Sequence, residues 1–507
     1  MTARPRGSSR SIDDGTPLNG ARIEIGPRIG WVLRVSRLLH RESAGVGLQV
    51  MAAKVGSNAT RLHRVETGGT REGRLVARYE EVLGLAPASL QAPIDVVCRT
   101  FPQEAPTDRH PAPVVGTVRE LSQLTEQLSS VETQPAHRWF AWARAISVAG
   151  GIGMPERIAH DLVARLVGEL GRSTSHAYPI RYEALALLRC SPYGHLVLEV
   201  AREQVADPHI RVLNDMMSAV GERVSEDAVA WCLGLLTDPR ERVVHGAALA
   251  LENMGQVAAS SEEFWESVVD RIIAVHNGTA EGSPGWEWHS HLLRLVPASV
   301  MGGRRHRVSK ALAPAPAITS WEREETNAHW TEVSRAAAAI AGELELGSQP
   351  MLARLMFDLA ISPYESRAVT SYMLLGSIPE IAARVTSSLG QLIETQADPA
   401  LRERMLRRLP GMAQGSFPGL ASSWLVNGDD DELEAALFLA GASHTWVPAE
   451  ILGRAVCGGG RVANRALYAA GMTAHPVIDR LLADPRISSE TAGALDWWRR
   501  NGSRVDV

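Results

Sequence analysis

The run AKVGSNATRLHRVETGG, Ala53 to Gly69, sets Asn58, Thr60, Arg61 and Arg64 on the outward side of what its apolar spacing makes a short helix. Amide, hydroxyl and guanidinium groups on one exposed helical face suit hydrogen bonding to the phosphates and base edges of duplex DNA. Other chemistries find less support. His289 and His291 with Glu287 offer metal-ligand side chains, but an HxH pair on a helix sends its imidazoles to different sides. The chain contains no P-loop, dinucleotide fingerprint, GxSxG elbow or HExxH. GGIGMPERI (Gly150–Ile158) is glycine-rich without a preceding strand and reads as a helix break. Cys98, Cys190, Cys232 and Cys457 form no CxxC pair, so buried reduced thiols are expected. The expectation is a protein that is not an enzyme, with no catalytic residue, no metal and no cofactor.

The elements that must position the polar face precede and include it. Along RIGWVLRVSRLLH (Arg28–His40), Ile29, Val32, Leu33, Ser36 and Leu39 share one helical face, with Arg34 and Arg37 beside it. RESAGVG breaks that helix. LQVMAAKVG then forms a second, short helix with Val50, Met51 and Val55 as core positions and Gly56 as its left-handed terminator. Ser57 or Asn58 caps a third helix, NATRLHRVE, in which Leu62 and Val65 face inward and Ala59, Thr60, His63 and Arg64 face outward.

The pattern IGxxLRxxR (Ile29–Arg37) followed by MAxxVGSNxTRLHRVExG (Met51–Gly68) resembles the helix-turn-helix domain of the Cro and phage-repressor family. The match covers about residues 26–93, with LVARYEEVLGL (Leu75–Leu85) as the closing helix, and Ala52, Gly56, Leu62, Glu66 and Gly68 fall at the family's spacing. The resemblance implies a structural pair between Arg37 and Glu66, and a recognition helix lying in the major groove. It makes Ala59, Thr60 and Arg64 the base-reading candidates, and Gln49, Ser57, Asn58, Arg61 and Thr67 the backbone contacts. In two respects the chain departs from the family. Leu48 stands where a phosphate-holding glutamine is common, with Gln49 next to it, and the preceding loop is about four residues longer.

Charge follows the same division. Residues 1–100 carry net +6 and the remainder net −11, as a basic nucleic-acid module on an acidic scaffold would. Only Lys54 and Lys310 are lysines, an arginine bias that reflects a GC-rich bacterial genome more simply than phosphate binding. The stretch FPQEAPTDRHPAPVVG, residues 101–116, holds four prolines among charged and small residues and reads as linker. Beyond it, amphipathic helical segments follow one another with almost no strand signal. Asp-Pro recurs at Asp207, Asp238, Asp398 and Asp484, each read as a helix start. DPRERVVHGAALALENMG (Asp238–Gly255) resembles a HEAT-type repeat helix, with Val243, Val244, Ala247, Ala248 and Leu251 as its buried stripe. CSPYGH and ISPYES echo each other 171 residues apart, but no firm repeat period emerges. Residues 276–291 and 301–330 interrupt the helical regularity. The second interruption carries Arg304, Arg305, Arg307 and Lys310, a patch for phosphate or an acidic partner unless it is simply a solvated loop. Trp286, Trp288, Trp497 and Trp498 read as packing residues.

The expected fold class is all-α: a small helix-turn-helix domain followed by a large α-solenoid of HEAT-like helical repeats. Its expected divisions are a flexible arm (1–25), the helix-turn-helix domain (26–93), a linker (94–116) and a solenoid (117–505) in two halves divided near 301–330. The expected function is a sequence-specific, DNA-binding transcriptional regulator, acting as a homodimer on double-stranded DNA. The solenoid would dimerise it or sense a peptide, protein or small ligand, a layout similar to peptide-sensing regulators with a tetratricopeptide solenoid. The alternative is a solenoid scaffold or defence component whose head serves localisation or assembly. A HEAT-like base-excision enzyme fits poorly with the acidic C-terminal part. No run of about 18 apolar residues and no secretory leader occurs, so the expected location is cytoplasmic and nucleoid-associated, with no membrane partner.

Overall fold

A computed structural model describes residues 11–20, 22–40, 46–112, 114, 117–130, 132–148, 154–314, 323–412 and 419–505. Several expected features therefore lie wholly or partly outside the described residues: the first ten positions of the arm, most of the connection after the first helix, linker positions 113, 115 and 116, positions 150–153 of the glycine-rich helix break, and positions 315–322. The described chain is helical almost throughout. Its only β pairings among the described residues are two isolated bridges. It divides into two compact units. Unit one comprises Met1–Pro113, Ser173–Ile180 and Ile318–Val507, and unit two comprises Val114–Arg172 and Arg181–Ala317.

In unit one the chain opens with five helices: α1 (Ile25–Leu39), α2 (Leu48–Lys54), α3 (Ala59–Glu66), α4 (Gly73–Val82) and α5 (Gln91–Thr100). The sequence explains most of these boundaries. Gly56, at φ +68°, ends α2 in the left-handed region, and Asn58 caps α3 by accepting a hydrogen bond from the Arg61 amide at 2.8 Å. Met51 and Val55 are buried as expected, whereas Val50 is 54% exposed, because the short α2 turns only one narrow face inward. Where linker was expected, α5 instead buries Ile94, Val96 and Val97, and residues beyond it are pinned by Asp108, which accepts from the Gly73 amide at 3.0 Å. The start of α5 is fixed by Glu80, whose carboxylate accepts from the Ala88, Leu90 and Gln91 amides, each at 2.8 Å. Burial pushes that carboxyl up to about 7, against the pull of the three N–H donors.

Helix α1 is buried nearly all round, which its single apolar stripe does not announce. One side rests on the end of α3: a Cβ added at Gly26 would sit 2.5 Å from the Gly68 carbonyl oxygen, and one at Gly30 would sit 2.6 Å from that of Glu66. The other side, carrying Arg28 and Trp31, meets the helices Pro350–Ala360 and Glu365–Gly376, and α5 packs on the second of these. Trp31 donates to Gln349 at 2.9 Å. Arg28 donates to Asp14 at 2.8 Å and to Asp358 at 2.6 Å, and Arg367 donates to Asp358 at 2.9 Å; all four side chains are 0% exposed. Burial alone would raise the Asp14 carboxyl, but Arg28 and the Thr16 hydrogen bonds outweigh it and hold the group below its ordinary range. Residues 12–20, expected as flexible arm, are thereby fastened down. Arg367 also donates to the carbonyls of Pro17, at 2.9 Å, and Gly20, and Arg354 donates to that of Thr16 at 2.8 Å.

The remaining helices of unit one pack on their chain neighbours and on the helix next but one, in the manner of a solenoid. A recurring device locks three of them: Asp430–Ser443, Gly460–Met472 and Ser489–Asn501. Tyr468 lies on Gly441, where an added Cβ would meet its ring at 2.6 Å, and Trp498 lies in the same way on Gly471. Phe438, Tyr468 and Trp498 are spaced exactly 30 residues apart, as are Gly441 and Gly471, so this stretch has a repeat period that composition alone conceals. In unit two the same stacking relates Gly194–Ala206, Asn214–Val220, Glu226–Leu235, Glu241–Val257, Ser261–Gly278 and Pro284–Leu295. The stripe Val243, Val244, Ala247, Ala248 and Leu251 is buried.

Turn chemistry partly follows expectation. Of the four Asp-Pro aspartates only Asp398 caps a helix; Asp207, Asp238 and Asp484 each accept from the amide two residues on and make turns before a later helix start. The CSPYGH and ISPYES echo is the same turn twice: Ser191 accepts from the Tyr193 amide at 3.1 Å, and Ser362 from that of Tyr364 at 3.2 Å.

Candidate nucleic-acid interface

Everything beneath α3 fixes its orientation. Arg37 grips Glu66 with two parallel bonds, Nε to Oε1 at 2.6 Å and Nη2 to Oε2 at 2.7 Å, and gives a third to the Val46 carbonyl at 2.6 Å. Tyr79 of α4 adds its hydroxyl to Glu66 Oε1 at 2.5 Å. Burial and the Glu66 charge raise the Tyr79 phenol, so it stays protonated and can donate. Three helices are thus joined at one carboxylate, while Leu62 and Val65 fill the apolar side.

On the opposite side, Thr60, Arg61, His63 and Arg64 are exposed and Ala59 is half-buried. Among the described residues the side chains of Thr60 and Arg64 have no hydrogen-bond or ion-pair partner, and the stem of Arg64 lies along Gly69. The expected backbone contacts fare differently from one another. Gln49 is exposed. Asn58 spends its carbonyl oxygen on the cap and keeps its amide donors outward. The Ser57 hydroxyl is buried without a partner among the described residues, and the Thr67 hydroxyl turns back to the His63 carbonyl at 2.8 Å. Arg61 is held by Glu72, its Nε 2.9 Å from both carboxylate oxygens and its Nη2 also bonded; that hydrogen bonding raises the Arg61 pKa. Nothing in the sequence marked Glu72 or Tyr79 as partners of this face, since each contact crosses a turn whose path periodicity does not reveal.

The patch at 304–310 is largely tied down in unit two. Arg304 and Arg307 share Asp270, at 3.1 and 2.7 Å, and Lys310 donates to the Thr279 carbonyl, leaving Arg305 exposed. His289 is buried, with Nε2 on the Leu236 carbonyl at 2.9 Å, while His291 meets Glu252 at 2.9 Å, so the pair diverges. No metal-holding cluster occurs among the described residues. Cys98 and Cys232 are buried, their thiols pushed up to about 12, but Cys190 and Cys457 are exposed where buried thiols were expected.

No family model matches the chain, and no curated protein matches it. Among solved structures, an engineered protein is similar over 75% of this chain and 98% of its own, at 16% identity and a TM-score of 0.21. A mutant of Kap121p is similar over 93% of this chain at 12% identity and a TM-score of 0.26; the chain spans about half of that protein's length, 53%. Neither likeness is close enough to bear on fold or function. No helix among the described residues is long and apolar enough to cross a membrane.

Proposed function

We propose that the chain is a sequence-specific DNA-binding regulator that reads duplex DNA through α3, with its helical repeats serving dimerisation or the sensing of a peptide, protein or small ligand. The observation that carries this reading is the pairing of an over-determined inner side with two outward side chains that are left unengaged. The Arg37–Glu66–Tyr79 junction fixes how α3 is presented, and Thr60 and Arg64 point outward with no competing partner among the described residues. In this reading Arg64 takes the bidentate contact to guanine, Thr60 and Ala59 read the neighbouring pair, and Gln49 and Asn58 hold phosphates. A homodimer would place two copies of α3 about 34 Å apart on a palindrome.

The test is selection of bound sequences from a random duplex pool by the full-length protein at fixed salt. An enriched palindrome is expected. Arg64→Ala should cost about 1–3 kcal/mol on the enriched site and relax one base position, whereas an equal loss on random duplex would remove Arg64 from base reading. A second reading, a scaffold whose head serves assembly, is favoured by one observation: α1 and α5 are built into unit one as core helices. A well-folded protein that enriches no sequence would support it.

A further inference from the structure

We infer that Glu72, which lies beneath the proposed reading face, sets the electrostatic strength of DNA binding by holding Arg61 out of phosphate contact. The inference rests on the DNA-binding reading and deepens it. Arg61 occupies the first turn of α3, where a cation would ordinarily meet a phosphate. Its guanidinium is instead bonded through Nε and Nη2 to a carboxylate that is only 5% exposed, while Arg61 itself is 42% exposed. The asymmetry decides which partner holds it. If Arg61 swung to a phosphate, Glu72 would be left as an uncompensated charge inside the protein, and buried carboxylates stripped of their partner are strongly disfavoured. A phosphate contact returns only the release of about one condensed counterion, a gain that shrinks as salt rises and is smaller than the cost of stranding the buried carboxylate. Arg61 therefore stays on Glu72, and the two present no net charge to the duplex.

Other exposed cations of the first described helices and the segment after them, Lys54, Arg64, Arg74 and Arg109, have no ion-pair partner among the described residues. Arg78 is neutralised by Glu81. The consequence is one phosphate contact fewer, a salt dependence shallower by about 0.9 and weaker binding to random sequence than with Arg61 free, so that base reading by Arg64 and Thr60 carries a larger share of the affinity. Glu72 is a positioning residue here, acting through Arg61 without touching DNA.

Two full-length variants test this against wild type, with affinities for enriched and random duplexes measured over a salt series. Glu72→Gln keeps the side-chain volume and releases Arg61 as a new phosphate contact. It should steepen the slope of log affinity against log salt by about 0.9, which is roughly eight-fold tighter binding at 0.1 M salt relative to 1 M, on both duplexes. The double variant Arg61→Ala with Glu72→Gln removes both charges and should keep the wild-type slope. An unchanged slope in Glu72→Gln overturns the inference, and so does a double variant whose slope is shallower by about 0.9, because Arg61 would then reach a phosphate in the wild-type complex. In either case wild-type binding leaves the DNA-reading proposal standing. A folded wild-type protein that binds no duplex at any salt sinks that proposal and this inference with it. Circular dichroism and thermal melting of both variants separate a lost contact from a lost fold.

Discussion

Asp358→Asn is the substitution that most directly probes how the first helices belong to the C-terminal half of unit one. The amide matches the carboxylate in size, so no cavity opens, but Arg28 and Arg367 lose the charge they share at 2.6 and 2.9 Å, and amide donors now face guanidinium donors. Arg28 keeps Asp14 and Arg367 keeps the Pro17 carbonyl, which leaves two fully buried cations against one buried anion. Breaking a buried pair by removing one partner costs about 3–5 kcal/mol. A chain of two units does not melt in a single all-or-none step, so the assay is hydrogen exchange followed segment by segment. Amides that exchange by opening of this junction, in α1 and in residues 350–376, should lose about two to nearly four orders of magnitude in protection together. Unit two should keep its protection. The reasoning fails if the loss is less than about tenfold, or if it is confined to residues 11–24 while α1 and residues 350–376 stay protected, because the quartet would then fasten only a strap.

Three further outcomes follow from the same packing. Glu80→Gln offers one acceptor where three backbone amides converge and should destabilise the head by about 1–3 kcal/mol, read as a lower denaturant midpoint and early exchange at Ala88, Leu90 and Gln91. Burial lowers the His276 and His289 imidazoles below their usual value. Well above the ordinary histidine pKa of about 6.5 both are neutral whether folded or unfolded; as pH falls toward and through it, the unfolded chain takes protons first and unit two loses stability, so its urea midpoint should drop between pH 8 and pH 5.5 and drop less in His276→Gln. Gly471→Ala would drive a methyl into the Trp498 ring and should cost about 1–3 kcal/mol by overpacking, seen as a lowered thermal midpoint, while Gly453→Ala, in open space inside the helix Ala449–Gly458, should stabilise by up to about 1 kcal/mol.

The residues that were legible are those whose partners lie close in sequence. Turn chemistry at Gly56 and Asn58, the inward pair Leu62 and Val65, and the stripe from Val243 to Leu251 obey local periodicity, and local periodicity is what a sequence displays. Arg28 illustrates the limit. A charged side chain beside an apolar stripe reads as surface, and its burial depends on Asp358, which is 330 residues away. Trp31 and Val35 made a second apolar side on α1, but four or five apolar positions around a helix do not say whether a second partner exists. Residues 101–112 misled for a related reason: prolines mark the chain as non-helical, which is correct, but the anchoring comes from Asp108 reaching Gly73, a contact without a pattern. The 30-residue period stayed hidden because it resides in one aromatic and one glycine per repeat.

The distance in sequence between Arg28 and Asp358 also has a meaning in time. At roughly 5–20 residues per second, synthesis separates the appearance of these two side chains by about 17 to 66 seconds. For that interval α1 has emerged with Trp31 lacking Gln349 and with Arg28 holding Asp14 but lacking Asp358, while all of unit two is made and free to fold. A nascent chain halted before residue 358 would carry a finished second unit and an unfinished first one, with an apolar helix side open to whatever chaperone or neighbouring chain arrives first. The junction that presents α3 is complete once Tyr79 is made, whereas the covering of the other side of α1 is a late event of translation.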